Sequence, residues 1–260
     1  MHTLESLKKQ LNAMGLNSDD HILAHTSMKA IGHVDGGAKT VLDAFCSYFS
    51  EGVFMLPAHT WKTMDEQNNR FDPKKEKACV GLLPNMMLKR SDVHRSLHPT
   101  HSVVASGKKA SSYIKGEEDK TTPTPKDGVY GRLKDVKGYI LLIGVTQMRN
   151  TFIHSIEERK EIANRLTKEP ILFELVKEDQ ILKRYFHKHY TKEFPHLSEN
   201  FDRIEPLLIE KKLIEFYQFG DAVVRKMKAD ELSTFIEKLL DQDRRLFDSN
   251  EPYEGGIKWD

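Results

Sequence analysis

HILAHTSMKAIGHVDGGAKTVLDAF, residues 21–45, is the stretch whose reading decides the fold. Ile22-Leu23-Ala24 is a short apolar run of the kind that forms a buried strand, and Thr26 to Gly37 is a loop of small residues. Val41, Leu42, Phe45 and Tyr48 then fall at helical spacing. Strand, loop and helix follow one another in order. The start of a helix presents unpaired N–H groups and a positive dipole end, which together hold phosphate. Gly36 and Gly37 let a ligand approach the backbone, whereas Asp35 serves equally well as an ordinary N-cap for a helix from Ala38. The pattern is neither a P-loop nor GxGxxG, so the residues alone favour a plain turn over a phosphate cradle.

Working outward, Leu4, Leu7, Leu11 and Met14 give an earlier helical period, stopped at Gly15. Val53 to Leu56 reads as a second strand ended by Pro57, and Val103 to Ala105 and Tyr139 to Ile143 as two more. Strands alternating with helices predict an α/β fold with a central, mostly parallel sheet flanked by helices. Two long irregular stretches, about 59–77 and 108–134, are of the length that often carries function. The last hundred residues are highly charged, with helical periods over Ile162 to Leu172, Phe201 to Phe216 and Leu232 to Leu239. Aromatic residues cluster there at Tyr185, Phe186, Tyr190 and Phe194. The expectation is one domain over 1–260, an α/β core at 1–165 carrying a charged helical cap at 166–260.

Bulk properties exclude several classes. Lys plus Arg number 40 against 39 Asp plus Glu, a net charge of +1, so the chain lacks the basic excess of a nucleic-acid binder. Cys46 and Cys79 are too few for a disulfide framework and lack zinc-site spacing. No apolar run approaches the roughly 20 residues that span a membrane. Residues 1–10 read as an amphipathic helix rather than a signal peptide, so the expected location is cytoplasmic.

Two segments carry histidines. HRSLHPTHS, residues 94–102, holds His94, His98 and His101. Pro99 keeps the three off one helical face, no HExxH pattern accompanies them, and no carboxylate stands nearby as a further ligand, so no metal is assigned. Arg95, in a turn leading into a strand, suits an anion better, since its fork matches phosphate. The plainer alternative is that the histidines only brace the loop. NTFIHSIEER, residues 150–159, follows the strand at Tyr139 to Ile143 and opens a helix where α/β proteins bind ligands. His154 and Glu157, three apart, share a helical face, and a carboxylate raises and orients an imidazole for general-base work. The same spacing also occurs in simple surface pairs. Cys46 sits on a helical period beside Phe45, nothing local activates Cys79, and no GxSxG elbow is present.

Six segments taken in order, AHTSMKAIGHVDGGAKTV, GVFMLPAHTW, FDPKKEKACVG, RSLHPTHSVVASG, GYILLIGV and NTFIHSIEE, resemble the aminoglycoside 3-N-acetyltransferase family. They span about half the chain, from His21 to Arg159. The resemblance implies an α/β fold, acetyl-CoA as donor without a metal, and direct transfer to an amine, the 3-amino group of an aminoglycoside antibiotic. It implies His154 as the catalytic histidine and Glu157 as its acid. It also implies that Thr26, Ser27, Met28, Lys29, Gly36, Gly37, Arg95, Ser96, His98, His101 and Ser102 surround the coenzyme. Two departures stand out. Met28 and Lys29 replace the second of the family's paired serines and its neighbour. Lys74, Lys75, Glu76 and Lys77 follow FDP where Thr-Pro-Ser is usual, and lysines there repel a polycationic acceptor. The rival readings are a related acyltransferase acting on another small amine, a metal-dependent hydrolase built on His94, His98 and His101, and a coenzyme-binding protein without turnover.

Overall fold

A computed structural model describes residues 1–189, 197–249, 251 and 253. Ten strands occur among them: β1 (His21–Thr26), β2 (Val53–Pro57), β3 (Arg70–Phe71), β4 (His94–Arg95), β5 (Val103–Ser106), β6 (Tyr139–Ile143), β7 (Ile171–Lys177), β8 (Gln180–Phe186), β9 (Glu215–Phe219) and β10 (Ala222–Lys228). Seven form the main sheet in the order β4-β5-β2-β1-β6-β10-β9, and β3-β7-β8 form a second, smaller sheet. The apolar runs read from the sequence supply the middle of the main sheet. Both faces of β2 are buried, and four of the six residues of β1, as runs without polar alternation require.

The α/β class holds, with two differences of detail. Among the described strands of the main sheet, β1–β2 and β1–β6 pair in parallel, while β5, β10 and their outer neighbours are antiparallel, so that sheet is mixed. The C-terminal third is also less helical than its charge suggests. The period over Ile162 to Leu172 runs into β7, and that over Phe201 to Phe216 gives a 3₁₀ segment, a short helix Glu205–Glu210 and then β9. The edge strand β9 and its inner neighbour β10 carry charge on their wet face, and they turn tightly at Gly220, which has a φ of +61°. The third period does form a helix, Ala229–Gln242. Tyr190 and Phe194 lie outside the described residues. No described helix is long and apolar enough to cross a membrane.

Helices cover both faces of the main sheet. One face packs Leu23, Met55 and Leu142 against Phe152, Ile153 and Ile156 and against Leu232, Ile236 and Leu239. The other packs Ile22, Phe54 and Leu141 against the helices Leu4–Ala13 and Gly37–Tyr48. The first of these helices starts at Thr3, whose side chain accepts the N–H of Ser6 in a capping box. Phe45 stacks on Phe54 at 4.6 Å with an interplanar angle of 3°, and meets Phe219 at 4.6 Å.

The parallel strands β2, β1 and β6 end at one edge of the sheet, so their following loops share that edge. This is where open α/β sheets bind ligands. Phe45 joins the helix covering β1 and β2 to β9 at the far side. Phe45→Ala is therefore expected to cost about 3–5 kcal/mol, read as a lower urea midpoint with the far-ultraviolet spectrum unchanged before the transition.

Candidate active site

His154 sits on the helix Phe152–Arg159, which follows β6 after a 3₁₀ turn at Gln147–Arg149. Its Nδ1 lies 2.9 Å from Oε2 of Glu157. Glu157 is fully buried, and its other oxygen accepts from Nε of Arg165 at 2.6 Å. Arg165 donates in turn to Oδ1 of Asp248 at 2.8 Å. An ionised carboxylate only accepts, so Nδ1 of His154 carries the proton and Nε2 of the neutral ring is a bare lone pair. Nε2 has no hydrogen-bond partner among the described residues, and the side chain is 15% exposed. The ring is flanked by His189 at 4.4 Å and by Phe201 at 4.9 Å, centroid to centroid.

Other imidazoles gather around this one. His101 lies 4.9 Å from His189 and 4.6 Å from His59, whose Nε2 is 2.8 Å from the buried Tyr130 hydroxyl. His98 packs edge-on against Phe186, its Nε2 facing the carbonyl of Thr122 at 3.1 Å. His25, near the end of β1, has a buried Nε2 without a hydrogen-bond partner. Burial lowers His25 to about 3 and His98 to about 4. Burial, reinforced by neighbouring imidazoles, holds His59 and His101 well below the ordinary value. His189 is lowered as well, burial outweighing its bond to Glu158.

Sequence reasoning missed His25, His59, Tyr130 and His189. A signal existed for two of them. Ala-His-Thr occurs at 24–26 and again at 58–60, and the two copies stand at the ends of neighbouring parallel strands.

The residues predicted to surround the coenzyme divide into three groups. Thr26, Ser27, Met28 and Lys29 together line a cleft of about 690 Å³, with Gly32, His33, Gly81 and Leu82 opposite. Ser27 caps the turn Met28–Ile31 by accepting the N–H of Ala30 at 3.3 Å. Gly36 and Gly37 open the next helix with φ of +73° and +62°, Gly36 rather than Asp35 taking the N-cap position, and neither glycine lines that cleft.

Arg95, expected beside the coenzyme, is held by partners within the protein. Its guanidinium donates to the carbonyls of Ala58 and Pro73 at 3.0 and 3.2 Å, to that of Glu76 and to Oγ of Ser102 at 3.1 Å. All its nitrogens are engaged within the protein, and Phe71 lies 4.9 Å beneath it. Ser96 accepts the N–H of Val103 and Ser102 donates to Ala58, at 2.9 and 2.8 Å. Nδ1 of His98 accepts the N–H groups of Thr100 and His101 at 3.2 and 3.0 Å. The loop is thus a brace that delivers His98 and His101 to the imidazole cluster. His94 is exposed on β4, apart from those two, and among the described residues no group of three His, Cys, Asp or Glu is placed to hold a metal.

The geometry coincides with a known family. The family model for aminoglycoside 3-N-acetyltransferases matches residues 23–241. The chain belongs to that family. It is 28% identical to aminoglycoside N(3)-acetyltransferase III of Serratia marcescens, over 64% of this chain and 67% of that protein. It is also 28% identical to aminoglycoside N(3)-acetyltransferase VII of Streptomyces paromomycinus, over 60% of each. The chain thus spans about three-fifths to two-thirds of the length of these relatives. The solved structure of AAC-IIIb in binary complex with CoASH shares the fold, with a TM-score of 0.80 at 20% identity over 92% of this chain and 96% of that one.

The buried imidazoles of this acetyltransferase-family chain have a consequence for stability. Their folded pKa values lie below the ordinary 6.5, so the unfolded chain binds more protons between the two values. Stability is therefore complete above about 6.5 and falls as the pH drops towards 4, by roughly 1.4 kcal/mol per pH unit for each histidine involved. Unfolding free energies from urea curves at about pH 7.5 and about pH 5 should differ by several kcal/mol in that direction, with a lower midpoint at the acid pH. Equal midpoints would mean that the cluster is charged or hydrated.

Proposed function

We propose that this chain transfers acetyl from acetyl-CoA to an amine, the 3-amino group of the 2-deoxystreptamine ring of an aminoglycoside, in the cytoplasm, with His154 as general base. One observation carries the base assignment. Glu157, itself fixed by Arg165, accepts from Nδ1 of His154 at 2.9 Å and leaves Nε2 bare. Membership of the family and the CoASH-bound relative support the donor.

The cleft at the end of β1 suits that donor. Thr26 and Ser27 offer hydroxyls, Lys29 a cation, and Met28 and Lys29 the N–H groups that the first turn of a helix leaves without intrahelical acceptors. These four residues would hold acetyl-CoA, which supplies the activated acetyl group as a thioester. Two backbone N–H groups near the cleft are engaged within the protein and are not free to stabilise an oxyanion. The N–H of Ser27 donates to Ile143 and that of Gly144 to Val223, both at 2.9 Å.

The acceptor arrives as an ammonium. His154 takes one proton on Nε2, and Glu157 stabilises the imidazolium that results. The freed amine bonds to the carbonyl carbon as the C–S bond breaks, and the proton shed by the nitrogen on becoming an amide passes to the departing thiolate. His154→Ala is expected to lower kcat roughly 10²–10⁴-fold, measured as thiol release from acetyl-CoA with gentamicin. Turnover within a fewfold of wild type would remove His154 from the mechanism. Direct transfer also requires that Cys79→Ala leave the rate unchanged, and a burst of acetylated protein lost in that variant would indicate a covalent route.

A second reading keeps the chemistry and changes the acceptor to a small amine other than an aminoglycoside. Lys74, Lys75 and Lys77 are exposed on the segment whose Pro73 and Glu76 carbonyls clasp Arg95, a basic feature that a polycation avoids. Comparing kcat/KM for gentamicin and for simple primary amines separates the two.

A further inference from the structure

The helix of His154 carries two adjacent glutamates, and each holds a different imidazole. Glu157 takes His154; Glu158 takes His189, with Nε2 2.7 Å from Oε1. Glu158 is also the acceptor for the N–H and hydroxyl of Thr124, at 2.8 and 2.7 Å, and for the hydroxyl of Thr122 at 2.5 Å. Burial would raise this carboxyl, but the bonds from His189, Thr122 and Thr124 outweigh it and hold it below the usual range. A carboxylate engaged in this way only accepts, so the proton of His189 lies on Nε2 and its Nδ1 is a bare acceptor. That Nδ1 is buried and has no hydrogen-bond partner among the described residues.

Unpaired buried polar atoms are uncommon and call for a reason. The position is not loosely held. His189 bridges to Leu166, and the preceding residues are tied by Thr167 N–H to the Lys188 carbonyl at 2.9 Å and His187 N–H to the Thr121 carbonyl at 2.7 Å. The two rings lie 4.4 Å apart at 37°, one presenting a bare Nε2 and the other a bare Nδ1. The two nitrogens have the same chemistry, lone pairs with no donor supplied by the protein.

We propose that His189 is an acceptor-binding residue, its Nδ1 receiving one N–H of the substrate ammonium while Nε2 of His154 receives the other. The substrate class is then an amine whose protonated nitrogen carries at least two N–H groups. His189 keeps its own proton on Nε2, hydrogen-bonded to Glu158, throughout and exchanges none, so it positions the nitrogen and His154 alone deprotonates it. The inference rests on the acetyl-transfer reading above.

The test compares His189→Gln with His189→Asn in the full chain. Glutamine places an N–H near the position of Nε2 and retains the link to Glu158 without an acceptor at Nδ1, whereas asparagine places its carbonyl oxygen near Nδ1. His189→Gln is expected to raise the KM for gentamicin roughly ten- to a hundredfold and to leave the KM for acetyl-CoA unchanged, and His189→Asn to recover most of the loss. An unchanged gentamicin KM in His189→Gln, or an equal rise in both KM values, overturns the proposal. Nitrogen-15 spectra of the ring provide a readout independent of turnover. They should show Nδ1 unprotonated in the free protein and displaced on adding gentamicin, and a protonated or undisplaced Nδ1 overturns the proposal. Absence of thiol release from wild type with gentamicin would count instead against the acetyl-transfer reading, and the spectra would still decide on His189.

Discussion

The buried ion pair between Arg165 and Glu157 is the constraint on which the site depends. A carboxylate removed from water is costly unless it is paired and hydrogen-bonded. Glu157 meets that requirement twice, once through Arg165 and once through the imidazole it orients. Arg165 is only 4% exposed and reaches Asp248 with Nη2, so these contacts join the His154 helix to the segment beyond Gln242. Removing the arginine would leave an uncompensated buried charge, a loss of about 3–5 kcal/mol. The imidazole would lose its orientation with it. Stability and the orientation of His154 therefore share one set of contacts.

The surrounding imidazoles serve the same electrostatic end. A general base works only while it is unprotonated, and positive charges nearby would disfavour its taking a proton. His25, His59, His98, His101 and His189 all have lowered pKa values, principally through burial. The aromatic walls at 4.4–4.9 Å thus pack around His154 and His101 as uncharged rings near neutral pH. Burial gives them shape and withholds charge. The cost is acid sensitivity, since the same rings gain protons on unfolding.

The centre of the fold is legible in the sequence because β1, β2 and β6 are continuous apolar runs, which only a doubly covered strand explains. The outer strands are not, because a half-wet edge strand such as Glu215–Phe219 has the composition of an amphipathic helix over so short a span. In the site, His154 and Glu157 are three residues apart, so helical geometry alone brings them together. His189 lies 35 positions later and reaches the same place through a second sheet, and no local pattern encodes that approach. The surroundings of Arg95 are hidden for a related reason. An arginine in a turn suits an anion, but four oxygens of the protein already surround this one, and their convergence from Ala58, Pro73, Glu76 and Ser102 is a tertiary fact.

The relation between the cleft and the base is set by backbone rather than by side chains. Thr26 pairs with Ile143 at the last register position of β1 and β6, and the N–H of Ser27 extends that pairing to the carbonyl of Ile143 at 2.9 Å. Gly144 then turns with a φ of +65° at a point where an added Cβ would stand 2.2 Å from that of Ala30. The start of the His154 segment is thereby pressed against the turn that lines the cleft, and only glycine permits the contact. A lining built this way retains its geometry when side chains in it change. Met28 and Lys29, where the family has a serine and its neighbour, alter the chemistry presented to a donor without moving the turn that presents it. Backbone register fixes the turn that lines the cleft against the end of β6, and side chains are left to set the chemistry that the cleft presents.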